Sequence, residues 1–451
     1  MGCGKSLTAV AVAGRLYLDK RIRRVLIVAP LAVCPVWPRE FADYAGFPFT
    51  VQPLTASGAK KKIAQLAQLS ESSGLQVAVI NYESVWRLQE QMEAWKPELV
   101  IADESQRLKD PQSRQSKAMA ALGKQAKYRL ILTGTPVSNS PLDFFGQYQF
   151  LDPQIFGNSW YSFRARYAVT GSEVNHSTGK TYTKVLGYRN LPELVEKAHS
   201  VAYRITKKQA LDLPEQLDQK LYCQLEPEAL SAYRQLQRNA IAELEGLPAV
   251  TAQHVITRLL RLSQICGGYI RPDIDGYEDD PAAGQLTRIS RAKQKLFADT
   301  AADILEQGKK LVIFARFTAE LRDIEDTLRS LIGPDGVRLI DGSVPGPARG
   351  QAVEDFQKKP EVRAFIAQIQ TAGLGITLTA ADTAIYYSLD YSYANYEQSR
   401  ARIHRIGQKN TCTYLHLLVE GSVDEDIMTA LQFKGNVADI VVNRWRELLK
   451  K

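Results

Sequence analysis

The sequence has 451 residues, of which 45% are hydrophobic and 24% are charged, an ordinary globular composition that excludes a fibrous or largely disordered protein. No apolar run approaches the ~20 residues of a membrane span, and no signal sequence opens the chain. The five cysteines have no paired spacing, so neither structural zinc nor a disulfide framework is expected. Lys and Arg outnumber Asp and Glu by 57 to 49, and this net charge of +8 favours a polyanionic partner.

The first third of the chain alternates short apolar runs with helical segments. Runs typical of buried parallel strands lie at residues 24–29, 77–80, 99–102 and 129–132. Helical patterns lie between them at residues 59–70 and 112–122. This β-α-β-α order predicts a parallel sheet, and hence a first α/β lobe.

A second α/β lobe is predicted in the last third of the chain. After Pro141 the sequence is helical and aromatic-rich, and strand-like runs then return at residues 311–315, 338–340, 364–369, 383–387 and 413–418. Residues 267–284, rich in Gly, Asp and Pro, are predicted to form an exposed loop.

Polar residues follow several of these runs directly, where ligands bind in open parallel sheets. Asp103 and Glu104 follow the run at 99–102, and buried acids of this kind hold Mg²⁺ and orient water beside a nucleotide phosphate. Taken alone, an Asp-Glu pair is more often the acidic start of a helix. Thr133 to Pro136 (TGTP) supplies hydroxyls and a turn, and Thr371 to Thr379 (TAGLGITLT) supplies glycines that let backbone approach a phosphate.

Residues suited to phosphate lie at both ends of the chain. Gly2-Cys3-Gly4-Lys5-Ser6 reads as the end of a phosphate-binding loop. Near the other end, Gln398, Arg402 and Arg405 are spaced i, i+4 and i+7, so a helix would present them on one face, with Ile403 and Ile406 on an adjoining apolar face. A basic helix is usually only a solvated surface, and the phosphate-binding pattern is what favours a functional interpretation.

In this order and at these separations the motifs resemble those of helicase superfamily 2, specifically its Swi/Snf-type, chromatin-remodeller-like ATPases. Residues 2–6 resemble motif I, 26–41 motif Ia, 103–106 (DESQ) motif II, 132–136 (LTGTP) motif III, 368–379 motif V and 398–408 motif VI. The sequence HRIGQ in the last motif is typical of the Swi/Snf branch. Without flanking chromatin-reading segments, a compact bacterial or phage protein of the cytoplasm, associated with DNA, is expected.

The resemblance implies an α/β fold of two RecA-like parallel-sheet lobes with ATP between them. Residues 1–205 would form the first lobe, with a helical insertion at about 141–200. Residues 206–451 would form the second lobe, with a helical insertion at about 225–290. The implied cofactors are ATP and Mg²⁺. The implied partner is double-stranded DNA, together with DNA-bound proteins, and no membrane or zinc is expected.

Individual roles follow from the matched motifs. Gly2, Gly4 and Lys5 would bind the ATP phosphates, and Ser6 with Asp103 would hold Mg²⁺. Glu104 would be the general base for water, and Arg402 with Arg405 would stabilise the transition state from the second lobe. Gly375 and Gln398 would line the ATP site from that lobe. Gln106, which stands where many relatives have histidine, would couple ATP state to lobe movement together with Thr133 and Thr135.

Candidate DNA-binding residues come from the motifs and from one basic segment. The motifs imply Pro30, Asn81 and Thr371. Residues 159–208 contain nine Lys or Arg against three acids, with interleaved aromatics, and include Arg164 and Arg166. Such a segment suits phosphate contacts. It is equally consistent with a partly buried helical insertion bearing solvated cations.

The phosphate-binding loop is incomplete as written. A full loop reads Gly-x-x-x-x-Gly-Lys-Ser, and its first glycine would precede Met1, as would the strand before it and the family's upstream glutamine motif. We therefore expect the chain as written to be an N-terminally shortened form with weak ATP hydrolysis and an exposed edge in its first sheet.

Three functions remain open from the sequence. The first is an ATP-driven translocase on duplex DNA that displaces bound proteins or remodels junctions without separating strands. The second is a strand-separating DNA or RNA helicase of the same superfamily, against which HRIGQ and the long insertion argue. The third is a DNA-binding module that does not hydrolyse ATP, against which the presence of Lys5, Glu104, Arg402 and Arg405 argues.

Overall fold

A computed structural model describes residues 3–137, 140–174, 181–205, 207–246, 252–270, 286–370 and 376–432. The chain divides into two compact units, Met1–Leu211 and Asp212–Lys451. Among the residues with predicted roles, Gly2, Thr371 and Gly375 lie outside the described residues, as does most of the loop predicted at 267–284.

The first unit is built on a five-stranded parallel sheet of order β2-β3-β1-β4-β5. Its strands are β1 Arg24–Ala29, β2 Phe49–Pro53, β3 Leu75–Asn81, β4 Leu99–Asp103 and β5 Tyr128–Leu132. The four apolar runs predicted for this lobe lie within β1, β3, β4 and β5, so the parallel α/β fold is confirmed. The half-buried strand β2 has no such run and is not predicted. Within the described residues β5 forms the other edge, and four of its five residues are only half-buried.

Helices cover both faces of this sheet because successive residues of a buried strand point to opposite sides. Val25 and Ile27 of β1 pack in one hydrophobic core, whereas Leu26 and Val28 pack in another. The helices that supply the two cores are α1 Lys5–Leu18, α2 Trp37–Tyr44, α3 Ala59–Ser70, α4 Tyr82–Val85, α5 Gln89–Trp95 and α6 Arg114–Gln125.

An insertion with its own aromatic core follows β5. It consists of α7 Phe144–Leu151, α8 Pro153–Phe156, α9 Trp160–Tyr167, β6 Ala168–Val174, β7 Thr181–Tyr188, α10 Leu191–His199 and α11 Lys207–Ala210. The prediction of a helical insertion is wrong for β6 and β7, which pair as an antiparallel hairpin. The sequence TYTKVLGY of β7 is rich in β-branched and aromatic residues, which favour a strand.

The second unit is built on a six-stranded parallel sheet of order β12-β13-β11-β14-β15-β8. Its strands, with the small β9-β10 pair, are β8 Gln216–Cys223, β9 Tyr269–Ile270, β10 Thr287–Arg288, β11 Leu311–Ala315, β12 Val337–Ile340, β13 Ala364–Gln368, β14 Thr383–Tyr386 and β15 Cys412–Val419. Its helices are α12 Pro227–Gly246, α13 Ala252–Cys266, α14 Ala292–Glu306, α15 Thr318–Ile332, α16 Gly346–Lys358, α17 Tyr393–Ile403 and α18 Val423–Gln432. The predicted second parallel sheet is confirmed, although its edge strand β8 is not predicted because most of its residues are exposed.

Charged residues are buried together inside the second unit. Lys293 of α14 and Asp424 of α18 form an ion pair with Nζ and Oδ2 2.5 Å apart, and both side chains are almost fully buried. Glu320, at the start of α15, is also fully buried and accepts hydrogen bonds from Ser388 Oγ and from the backbone N–H of Phe317. Burial raises the pKa of Glu320 to about 7, although the Ser388 hydrogen bond and the Lys293 charge oppose this rise.

We predict that Glu320→Gln makes the free energy of unfolding less dependent on pH. Folding raises the Glu320 pKa from 4.5 to about 7, so the folded protein holds this proton more tightly than the unfolded chain. The resulting stability is complete below pH 4.5 and is lost as pH rises to about 7. The loss above pH 7 is about 3 kcal/mol.

Glutamine cannot ionise but keeps an oxygen that accepts from Ser388. In denaturant titrations the variant should therefore match the parent near pH 4 and exceed it at pH 8. Glu354→Gln, at an exposed glutamate of the same unit, is the control and should follow the parent at both pH values. An unchanged pH dependence in Glu320→Gln would show that Glu320 does not titrate in this range.

Candidate active site

The first sheet brings together residues that are far apart in the sequence. Because its strands are parallel, their carboxyl ends lie along one edge. Pro30 follows β1, Asn81 ends β3, Asp103 ends β4 and Thr133 follows β5. Four residues with predicted roles therefore share this edge of the sheet.

Helix α1 provides a local site for an anion. It begins at Lys5, directly after Gly4, whose φ of 79° lies in the left-handed region that glycine adopts without strain. The first-turn N–H groups of a helix lack intrahelical acceptors, and they carry partial positive charge. Lys5 and Ser6 lie in this turn, which contains no acidic residue. The arrangement suits a phosphate group.

Asp103 and Glu104 place two carboxyl groups side by side at the end of β4. Asp103 is buried, and its Oδ1 accepts the backbone N–H of Glu104 at 3.0 Å. Burial, and then the charge of Glu104, raise the pKa of Asp103 to about 7, whereas the charge of Lys5 lowers it. A buried acid that adjoins a second carboxyl group is best ionised when a cation lies beside it. The donor set, with the Ser6 hydroxyl available on α1, fits Mg²⁺, which prefers oxygen ligands.

A chain of hydrogen bonds joins Glu104 to the segment after β5. Glu104 Oε2 accepts from Gln106 Nε2 at 2.6 Å, and Gln106 Oε1 accepts from the Thr133 hydroxyl at 2.7 Å. Thr133 Oγ1 in turn accepts the backbone N–H of Thr135 at 3.0 Å. Glutamine can do this because its amide donates at one atom and accepts at the other. The glutamine that replaces histidine at position 106 thus connects the acid to both threonines.

Sequence reasoning missed Gln147, which holds the same two segments together. Gln147 lies on α7, is fully buried, accepts from Ser105 Oγ at 2.8 Å and donates to the carbonyl of Pro136 at 2.7 Å. Tyr82, also missed, donates to the Asp103 carbonyl at 2.8 Å. A glutamine within the aromatic segment FFGQYQFL was a usable signal, because a buried amide needs partners.

Three of the candidate DNA-binding residues already contact other side chains of the first unit. Asn81 is buried, accepts from Lys62 Nζ at 3.2 Å and donates to Glu83 Oε2 at 2.7 Å. Arg166 pairs with Glu193, with Nη2 and Oε2 2.7 Å apart, so it is already occupied by an acid of the insertion. Arg164 lies over the Tyr161 ring at 5.8 Å from its centroid.

In the second unit, α17 carries Gln398 and Arg402, which are both buried. Arg402 Nη1 donates to the Ile376 carbonyl at 3.4 Å. The prediction of one helical face is wrong for Arg405, because the helix ends at Ile403 and His404 leaves helical geometry, with ψ 81°. The predicted apolar face is also wrong, since Ile403 is buried but Ile406 is exposed.

Two further findings concern the described residues as a whole. No group of three or more His, Cys, Asp or Glu side chains is placed there to hold a metal ion. No helix in the same part of the chain has the length and apolar character that a membrane crossing requires.

Comparison with known families matches residues 1–268 to the SNF2-related domain and residues 296–407 to the helicase conserved C-terminal domain. The first match alone covers more than half of the chain.

Two similar proteins from yeasts are much longer than this chain. The DNA repair and recombination protein RDH54 of Saccharomyces cerevisiae is 26% identical over 433 residues, which cover 92% of this chain and 46% of the relative. The SWI/SNF chromatin-remodeling complex subunit snf22 of Schizosaccharomyces pombe is 26% identical, covering 96% of this chain and 26% of the relative. The chain spans less than half the length of these relatives.

A solved structure described as the Sulfolobus solfataricus SWI2/SNF2 ATPase core in complex with dsDNA is also similar. It is 24% identical, with 96% of this chain and 85% of that chain covered and a TM-score of 0.39. At this score the likeness carries no argument about fold or function.

We predict that Gln106→Leu lowers ATP turnover by up to about 30-fold, because it removes both hydrogen bonds that connect Glu104 to Thr133 and each contributes about 1 kcal/mol. The KM for ATP should change little, since Gln106 contacts neither Lys5 nor Asp103 in the hydrogen bonds described. Gln106→His, which restores a donor and an acceptor, should recover part of the rate.

The matched control is Gln115→Leu. Gln115 also donates a side-chain hydrogen bond, to the Arg107 carbonyl at 2.7 Å, but lies outside the site. Equal rates for Gln106→Leu and Gln115→Leu would contradict a role for the Glu104–Gln106–Thr133 chain.

Proposed function

Because this chain belongs to the SNF2-related family of helicase-like ATPases, we propose that it is an ATP-driven translocase on double-stranded DNA, acting on DNA junctions or DNA-bound proteins. The observation that carries the proposal is the hydrogen-bonded chain from Glu104 through Gln106 to Thr133. This hydrogen-bonded chain lies beside the start of α1, which suits a phosphate group. A change in the bound nucleotide could therefore alter the position of the segment after β5.

The proposed hydrolysis assigns one task to each group in the first unit. The first turn of α1 and Lys5 would bind the terminal phosphates. Ser6 and Asp103 would hold Mg²⁺, which neutralises charge on the phosphate oxygens when bound. Glu104 would accept a proton from the attacking water, and its hydrogen bond from Gln106 keeps the carboxylate oriented. Loss of this proton acceptor would stop turnover without preventing binding.

The second unit would supply positive charge to the transition state. Arg402 and Arg405 are the proposed sources, as permanently charged guanidinium groups that suit phosphate oxygens. In arginine fingers generally such a contribution is worth ~10³ to 10⁵ in rate. Hydrolysis by this route requires both units, because Asp103 and Glu104 belong to one and both arginines to the other.

Several observations support duplex DNA as the partner. The net charge of +8 favours a polyanion. Pro30 and Asn81 lie at the same sheet edge as Asp103, so a DNA backbone bound at this edge would lie close to the proposed nucleotide site. One similar protein is named for DNA repair and recombination and another for chromatin remodelling. A bacterial or phage source remains a prediction, since the relatives compared above are from yeasts.

We predict that ATP hydrolysis is stimulated most by double-stranded DNA, with little dependence on base sequence, because phosphate contacts position a protein without reading bases. Rates should be compared with no nucleic acid, single-stranded DNA, double-stranded DNA and RNA. Stimulation should fall steeply with added salt as counterion release becomes less favourable. A triplex-displacement assay should report movement while a forked duplex stays largely paired. Equal stimulation by RNA, or efficient strand separation, would favour a helicase.

We predict that Glu104→Gln retains ATP and DNA binding but loses turnover by at least about 10²-fold, the usual range for a lost general base. Glutamine keeps the size of the side chain and an oxygen that accepts from Gln106, so the local structure should persist. Nucleotide and DNA affinities would be measured beside the rate. Glu90→Gln, at an exposed glutamate of α5, should keep parental turnover. A folded Glu104→Gln protein with near-parental turnover would exclude Glu104 as the base.

A further inference from the structure

The arginine helix α17 contacts a short segment, Pro214–Cys223, which we call the β8 segment. It includes the edge strand β8, and it begins shortly after Leu211, where the chain passes from the first unit to the second. His404, directly after α17, hydrogen bonds through Nε2 to the Pro214 carbonyl at 2.8 Å. The β8 segment therefore follows the division between the units closely in sequence and contacts the end of the helix that carries Arg402.

Arg400 is the principal contact between α17 and the β8 segment. Its guanidinium makes two hydrogen bonds to the Asp218 carboxylate, one of them from Nη2 to Oδ2 at 3.0 Å, and Nη2 also donates to Gln216 Oε1 at 3.0 Å. The side chain is only 11% exposed and lies 3.9 Å from the centroid of the Tyr414 ring. Planarity, paired donors and stacking are properties of arginine that lysine lacks.

A second set of hydrogen bonds connects Arg400 through Tyr396 to His416 of β15. Arg400 Nη1 donates to the Tyr396 hydroxyl at 2.8 Å, and this hydroxyl lies 2.9 Å from Nε2 of the fully buried His416. Burial lowers the pKa of His416 to about 4, so the ring is neutral at pH 7. Nδ1 then donates to the Gln219 carbonyl at 3.3 Å while Nε2 accepts from Tyr396. Every group in this relay has a consistent donor and acceptor role.

Helical geometry connects Arg400 to Arg402. Two residues along an α-helix rotate the side-chain direction by roughly 200°, so Arg400 and Arg402 leave α17 on nearly opposite sides. Fixing Arg400 against β8 and β15 therefore fixes the direction in which Arg402 is presented. The Arg402 carbonyl also accepts the backbone N–H of Leu378 at 2.9 Å, which restrains the helix from its other side.

We propose that Arg400 is a positioning residue for ATP hydrolysis: through Asp218 and Gln216 it ties α17 to the β8 segment and so sets the placement of Arg402 on the same helix. This inference rests on the proposed function, in which Arg402 acts on the nucleotide. Arg400 itself contacts no nucleotide. Its contribution is to the rate of the chemical step and not to the binding of ATP.

The test compares Arg400→Met and Asp218→Asn with a matched control on the opposite edge of the same sheet. Arg338 of β12 pairs with Asp355 of α16, with Nε and Oδ2 3.1 Å apart, and is also partly buried. Arg338→Met thus removes a similar ion pair without touching α17. We expect kcat for DNA-stimulated hydrolysis to fall at least about tenfold in Arg400→Met, because a catalytic group misplaced by about 1 Å can cost about 10²-fold in rate, with the KM for ATP within about twofold of the parent.

Asp218→Asn should show a smaller loss in kcat, and the double variant should be no slower than Arg400→Met alone, since the two residues act as one pair. Arg400→Lys should recover only part of the rate, because lysine provides neither paired donors nor stacking. Arg338→Met should keep the parental kcat even if its melting temperature falls as much as that of Arg400→Met. A kcat for Arg400→Met equal to that of Arg338→Met, or a raised KM with unchanged kcat, would overturn the inference.

Hydrogen exchange provides a readout that does not depend on ATP hydrolysis. Amides of residues 397–403 should exchange faster in Arg400→Met than in the parent, and they should be unchanged in Arg338→Met. Parental exchange in Arg400→Met would overturn the inference whatever the ATPase results are.

A parent without DNA-stimulated hydrolysis would instead refute the proposed function. If the parent is active and Arg402→Ala abolishes turnover while Arg400→Met has no effect, only the positioning role fails.

Discussion

The burial of the Asp103 carboxyl group at the end of β4, directly beside the half-buried Glu104, is the constraint on which the rest of the site depends. Asp103 and Glu104 repel one another, and burial raises the pKa of Asp103 to about 7. Such a pair is costly unless cations or hydrogen-bond donors surround it. The first unit provides them: the charge of Lys5 acts on Asp103, and the Gln106 amide donates to Glu104. A bound Mg²⁺ would complete the compensation.

Each unit couples its functional residues to its own framework by polar contacts. In the first unit, Gln106 and Gln147 connect the end of β4 to the segment after β5. In the second, Arg400 connects α17 to β8, and the buried pair of Lys293 and Asp424 joins α14 to α18. Polar contacts of this kind have directional geometry, so they fix orientation more strictly than apolar packing does.

The fold was largely predictable because central strands of parallel sheets are buried on both faces and read as continuous apolar runs. Residues 24–29 and 99–102 are examples, and both lie within central strands of the first unit. Strands β2 and β8 were missed because they lie at sheet edges and keep polar, exposed residues. The β6-β7 hairpin was missed although its composition favours strands, because the neighbouring segments are helical.

The sequence predicts which residues are candidates for the site, but it does not predict the hydrogen bonds between them. The motif resemblance points to Glu104, Gln106 and Thr133, and the structure adds that they form one hydrogen-bonded chain. Arg400 and Asp218 are 182 residues apart in the sequence, and no local pattern predicts their contact. The end of the helix at Ile403 separates Arg405 from Arg402. The sequence does not predict this end, because the i, i+4, i+7 spacing continues beyond Ile403.

The central claim is that Asp103, beside the start of α1, holds the metal of a bound nucleotide. It is tested most directly by titrating the protein with a non-hydrolysable ATP analogue, with and without Mg²⁺, in the parent and in Asp103→Asn. The account predicts that Mg²⁺ strengthens binding to the parent by at least about tenfold, or 1.4 kcal/mol, and that Asp103→Asn loses this dependence while remaining folded. Equal strengthening by Mg²⁺ in both proteins would contradict it.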